Sequence, residues 1–75
     1  MRVKYFPDTD TALVQFTGDV VVETREINEN IYMDFDKQGN IVSMTIEHAH
    51  TNAQLQEFSY CEVNRSSYDE IRTVR

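Results

Sequence analysis

Between Asn30 and His48 the chain carries two runs of alternating side chains, separated by Asp36-Lys37-Gln38-Gly39. Ile31, Met33 and Phe35 fall on one side of an extended backbone, with Tyr32 and Asp34 on the other. After the turn, Val42, Met44 and Ile46 share a side opposite Ile41, Ser43, Thr45 and Glu47. A period of two marks a strand with one apolar face, and two such runs around an Asp…Gly turn predict a β-hairpin. Directly opposed residues in an antiparallel pair point the same way, so only some registers bring the two apolar sets together. A three-residue loop opposes Phe35 to Ile41 and Met33 to Ser43, mixing the sets. A four-residue loop opposes Phe35 to Asn40, Met33 to Val42 and Ile31 to Met44, and is the register expected. Gly39 closes it in the left-handed conformation that a residue without Cβ adopts freely.

A second hairpin precedes it. Arg2-Val3-Lys4-Tyr5-Phe6 runs into Pro7-Asp8-Thr9-Asp10-Thr11 and returns through Ala12 to Thr17, with Ala12, Val14 and Phe16 on one face. Proline fixes φ and the Asp and Thr side chains bond nearby amides, which is turn chemistry. Between the hairpins, Val20 to Ile27 is rich in β-branched residues but loses its alternation in the charged half. This predicts an edge or irregular strand, where charge discourages sheet-to-sheet association. Asn28-Glu29-Asn30 then turns into the next strand.

The pattern changes at Thr51. Thr51-Asn52-Ala53-Gln54 fits a capping box, and Leu55 and Phe58 follow at helical spacing, so a helix is expected over residues 51–61. Ser67-Tyr68-Asp69-Glu70 repeats the capping pattern, giving a tail or short helix over 62–75. The expected fold is α+β: one domain of 75 residues, with a small, meander-like antiparallel β-sheet of two hairpins plus an irregular edge strand over 1–50. A C-terminal helix and short tail follow. A chain of 8.8 kDa is too short for a barrel or a doubly wound sheet. A domain this small has a marginal core, so a homodimer is expected.

Thirteen acids against seven bases leave a net charge of -6. Binding phosphates needs a basic field, so nucleic acid is excluded as a direct ligand, and an acidic surface suits a basic protein partner. Cys61 is the one cysteine, so no intramolecular disulfide forms. No apolar run approaches a membrane span and the N-terminus has no signal-peptide core, so no membrane association and a cytoplasmic location are expected.

The residues that carry chemistry are few. His48 and His50 share a side if the strand continues to residue 50, and with Asp34 or Asp36 they suggest a metal-dependent hydrolase as an alternative to a binding role. Glu47 points away, and no third ligand is set by local spacing, so no metal and no other cofactor are expected. Asp8 with Asp10, and Asp34 with Asp36, read as turn residues, lacking the Gly and distal Glu of a calcium loop. Cys61 has no basic neighbour and lies beside Glu62, and a packed, inert thiol is expected. Tyr60, Arg65, Tyr68, Ile71 and Arg72 are residue types common at interfaces and form the expected partner-binding arm.

Several of these residues carry a resemblance: Val3-Lys4-Tyr5, Pro7-Asp8, Asp10 with Ala12-Leu13, and Glu23-Thr24 with Glu26-Ile27. The second hairpin adds Asp34-Phe35-Asp36, Gly39-Asn40-Ile41-Val42 and Ile46-Glu47. Over roughly residues 1–50 the chain resembles the DUF2283 proteins, small prokaryotic and phage domains. The resemblance implies a small antiparallel sheet and no catalytic residues. Some relatives look like antitoxin partners of ribonuclease-like toxins. The expectation is therefore a non-enzymatic, antitoxin-like inhibitor that masks a basic, nuclease-like protein, or a phage-encoded inhibitor of a host defence nuclease.

Overall fold

A computed structural model describes residues 1–64. Its elements are β1 (Arg2–Phe6), β2 (Thr11–Gln15), β3 (Glu23–Asn28), β4 (Ile31–Phe35), β5 (Ile41–Glu47) and the single-turn α1 (Ala49–Asn52). The strands form one antiparallel sheet in the order β1-β2-β5-β4-β3. The chain is thus a small α+β domain with both hairpins in place and β3 at an edge. The loop after β2 crosses to the far edge, and β3, β4 and β5 step back until β5 pairs with β2, a Greek-key arrangement.

The β4–β5 register differs from the four-residue loop expected of it. Asp36 and Asn40 pair at the mouth of the turn, Asp36 N–H donating to the Asn40 carbonyl at 2.9 Å, and Phe35 opposes Ile41. The register then shifts, so that Asp34 opposes Ser43, Met33 opposes Met44 and Ile31 opposes Ile46. The short loop alone would have set Met33 on Ser43. One extra residue on β5 restores the parity that keeps the apolar sets on one face. Gly39 has φ 87, as the turn chemistry requires. Asp36 is buried, and its Oδ1 accepts from the backbone N–H of Gln38 and Asn40 at 3.0 and 2.8 Å.

The bulge has a second use. The Val42 carbonyl accepts from the Phe16 and Thr17 amides at 2.8 and 3.2 Å, and the Phe35 carbonyl accepts from Val22 at 2.9 Å. Both ends of the crossing loop are thereby tied to the turn end of β4 and β5.

The helix also departs from expectation. It occupies Ala49–Asn52 rather than 51–61, and Ala53 is already extended at φ -150, ψ 147. Thr and Asn are weak helix formers, and tertiary contacts decide the case. Ala49 is fully buried in a cluster with Ala12 and Ile46, and Ala53 and Leu55 pack on that cluster two residues apart, the spacing of extended chain. Beyond Leu55 the side chains leave the sheet, so Cys61 is exposed rather than packed. The expected tail or helix over 62–75 falls mostly on residues 65–75, outside the described residues.

The sheet is a single layer with two unlike faces. Val3, Tyr5, Ala12, Val14, Met44, Ile46, Met33 and Ile31 share one face through their pairings. Ala49, Ala53 and Leu55 cover its β1–β2–β5 end. Among the described residues the buried apolar set is Ala12, Val42, Ile46 and Ala49, and no large side chain is fully buried. Lys4, Leu13, Thr45, Tyr32 and Glu26 form one row of the opposite face, and Arg2, Gln15, Ser43, Asp34 and Thr24 the next.

Candidate functional site

Two constellations of titratable side chains emerge from this frame, one beside the covered end of the apolar face and one on the polar face. At the first, Asp10 ends the β1–β2 turn in the left-handed region at φ 54, a conformation that Asp tolerates better than most residues. Its carbonyl accepts from Ala49 N–H at 2.9 Å. Its Oδ1 accepts from the Tyr5 hydroxyl at 2.8 Å and from His50 N–H at 3.1 Å, and His50 Nδ1 lies 2.9 Å away. Tyr5 Oη is 2.6 Å from the same Nδ1, with the two rings edge to face at 5.1 Å. With the tyrosine proton given to Asp10, every contact is satisfied by a proton on His50 Nδ1, shared between the carboxylate and the phenol oxygen.

The electrostatics follow from these contacts. The Tyr5 hydroxyl, the His50 ring and the His50 amide hold the Asp10 carboxyl below its usual range, against an opposing effect of partial burial. Desolvation raises Tyr5 above its usual value, helped by its bond to the Asp10 carboxylate and by that charge. The cluster is a clamp: it ties the β1–β2 turn to the chain that crosses the sheet. The groove of about 570 Å³ between β1 and the C-terminal segment is lined by Met1, Val3, Leu55, Phe58 and Tyr60, not by the clamp residues.

His48 and His50 do not converge, because the strand stops at Glu47 and His48 turns into the left-handed region at φ 52. His48 Nδ1 lies 3.0 Å from Asn30 Oδ1, across the sheet from the clamp. Among the described residues no group of three His, Cys, Asp or Glu side chains is gathered as a metal would need. His50 meets Asp10 and not His48, and Asp10 is at once a turn residue and the centre of the clamp. Tyr5 and His50 are 45 positions apart, and no local spacing signals their meeting.

The second constellation lies on the polar face of β3, β4 and β5. Asp34 takes the Thr24 hydroxyl on Oδ1 at 2.6 Å and the Ser43 hydroxyl on Oδ2 at 2.5 Å, linking three strands. Next to it Tyr32 lies between Glu26 on β3 and Thr45 on β5, with Glu47 close enough to act on it. The charge on Glu26, then desolvation, then the charge on Glu47 raise the Tyr32 hydroxyl above its usual value. The three carboxylates thus share an open face. The bases of that face, Arg2 and Lys4, are confined to β1 at the other edge.

Of the residues expected to form a partner-binding arm, Tyr60 is exposed and its hydroxyl donates to Glu62 at 3.2 Å. Arg65, Tyr68, Ile71 and Arg72 lie outside the described residues. No helix among the described residues is long and apolar enough to cross a membrane.

These features define a class first: a single-layer antiparallel sheet with one apolar face, one carboxylate-bearing face and a clamped C-terminal crossing. More particularly, the chain belongs to the DUF2283 family, described as "Protein of unknown function (DUF2283)", whose model matches residues 2–50. The match spans all five strands and ends on His50, the last member of the clamp. No curated protein and no solved structure matches the chain.

Proposed function

We propose that this protein is a non-enzymatic interaction domain of the cytoplasm that binds and masks a basic, nuclease-like protein. It would serve as an antitoxin-like inhibitor or as a phage-encoded inhibitor of a host defence nuclease. The observation that supports this most is the gathering of Glu26, Asp34 and Glu47 around Tyr32 on the polar sheet face. Carboxylates on a rigid strand surface meet lysines and arginines at little cost in side-chain entropy, and Tyr32 adds an aromatic anchor of the kind that dominates interfaces. Masking a nucleic-acid-binding surface requires the charge of the displaced phosphates, and eleven acids against four bases in residues 1–64 supply it. Tyr60, Arg65, Tyr68, Ile71 and Arg72 supply the aromatic and arginine side-chain types of the partner-binding arm in this reading.

The test is capture from host cells, by wild-type protein and by a Glu26→Lys/Glu47→Lys variant of verified fold. We expect a basic protein on the wild type alone, released by raised salt and inhibited in nucleic-acid cleavage when bound. Equal capture by both proteins, or an acidic captured partner, would defeat the reading.

A further inference from the structure

The two edges of the sheet differ in side-chain chemistry, and the β3 edge carries a self-complementary charge pattern. All six residues of β3 are exposed, and among the described residues β4 is the strand's one neighbour. No described strand pairs with its outer backbone groups. On the apolar side of this edge Glu23 and Arg25 stand two residues apart, Arg25 Nε donating to Glu23 Oε2 at 2.7 Å and Nη2 to Oε1 at 3.2 Å. The Arg25 guanidinium also lies over the Phe35 ring, 4.3 Å from its centroid. The stacking contact and the pair with Glu23 hold it at a defined place along the edge.

A two-fold axis that joins antiparallel edge strands in one continuous sheet runs perpendicular to that sheet. Each face then continues onto the same face of the second copy. Opposed residues must share a face, so the axis passes through a residue and not between two. Within the regular part of β3, Glu23 to Glu26, four centres are available. An axis at Glu23, Arg25 or Glu26 sets a charge against its own copy. An axis at Thr24 sets Thr24 on Thr24 and brings Glu23 opposite Arg25 of the second copy, twice. One register therefore satisfies symmetry, parity and charge together.

We propose that β3 is a homodimer edge, at which a second copy of this chain adds its own β3 antiparallel about Thr24 to form a ten-stranded sheet. Alternating Glu23 and Arg25 side chains lock the register. This inference does not depend on the masking role proposed above. The carboxylates of Glu26, Asp34 and Glu47 lie on the polar face and remain open in the dimer.

The test is sedimentation equilibrium of the full chain, with circular dichroism to verify each fold. Wild-type protein is expected at twice 8.8 kDa. Arg25→Glu and Glu23→Arg each set like charges opposite one another and weaken self-association on the order of a hundredfold. Neither variant restores its own ion pair within the chain, yet an equimolar mixture of the two opposes unlike charges at both positions. We expect that mixture to form a heterodimer. The double variant Glu23→Arg/Arg25→Glu should dimerise like the wild type, which keeps the test decisive if either single variant folds poorly. A monomeric wild type at high micromolar concentration would overturn the proposal. So would a wild-type dimer whose mass is unchanged by either reversal, since its interface would lie elsewhere.

Discussion

The two edge strands differ in what stands behind them. β1 is short, but the chain after β5 folds back beside it, pinned by Ala49 on Ala12 and Ile46 and by the Tyr5–Asp10–His50 clamp. β3 has β4 on one side and the crossing loop at one end, and its side chains are in water throughout. The comparison shows how a chain of 75 residues divides a scarce resource. Apolar cover goes to the face at the β1 end, over Ala12 and Ile46, and the β3 end is managed with charge. An edge that is charged but neither bulged away nor covered throughout its length also remains available for pairing.

The largest expected effect breaks the protected edge. Ala49→Asp places a carboxylate in a fully buried position and should cost about 3 kcal/mol, read as a lowered urea midpoint. Ile27→Thr on the opposite edge, measured on dilute protein, should stay within about 0.5 kcal/mol. Similar losses in both would erase the distinction between the edges.

Asp36→Ala comes next. It removes an acceptor serving two backbone amides in a buried turn, and about 2 kcal/mol of stability should go with it. Hydrogen exchange should then rise first in β3, β4 and the near end of β5, before β1. Uniform loss of protection across the sheet would show that the turn does not belong to one half.

Smaller effects follow from protonation. Asp10 is more acidic in the folded chain, so its contribution is complete above the ordinary value of 3.8 and is lost as pH falls through the lowered one. Tyr5 is raised, so its contribution is complete below 10.0 and is lost as pH rises through the elevated value. Glu23 is lowered by its bond to Arg25, so acid weakens that pair as well as the clamp. Alkali separates them: above pH 10 the clamp opens, while the Glu23–Arg25 pair stays charged because Arg25 is raised from an already high value. Protease sensitivity around Ala53 to Leu55 should increase at that pH without a matching change at β3. The smallest effect is that of Tyr5→Phe, which keeps the ring and removes the hydroxyl. Amide exchange at Ala49 and His50 should quicken while the unfolding midpoint scarcely moves.

Much of the sheet could be read from single residues. Alternation placed Ile31, Met33 and Phe35 with Val42, Met44 and Ile46; the structure pairs Ile31 with Ile46 and Met33 with Met44, while Phe35 opposes Ile41 and Val42 is the extra residue of the bulge. What alternation could not supply was the pairing partner, because every register of the right parity satisfies it equally. Met33 meets Met44 rather than Val42, through a bulge that no residue type announces. The helix failed for a related reason: Leu55 and Phe58 fit a helical period, but the buried contact of Ala49 and the extended pair Ala53 and Leu55 outweighed weak local preference. Of the two constellations, the carboxylate face follows from strand parity once the strands are known. The clamp does not, since Tyr5, Asp10 and His50 come from three separate stretches of chain.

Local chemistry therefore determined which residues turn, which face the strand side chains take outside the bulge, and that Gly39 sits at positive φ, because steric and hydrogen-bond preferences act over a few bonds. The tertiary structure alone decided that β5 lies beside β2 and that His50 reaches the turn at Asp10. Such choices depend on how separate segments share one small apolar face, and that competition is settled only when the whole sheet is assembled.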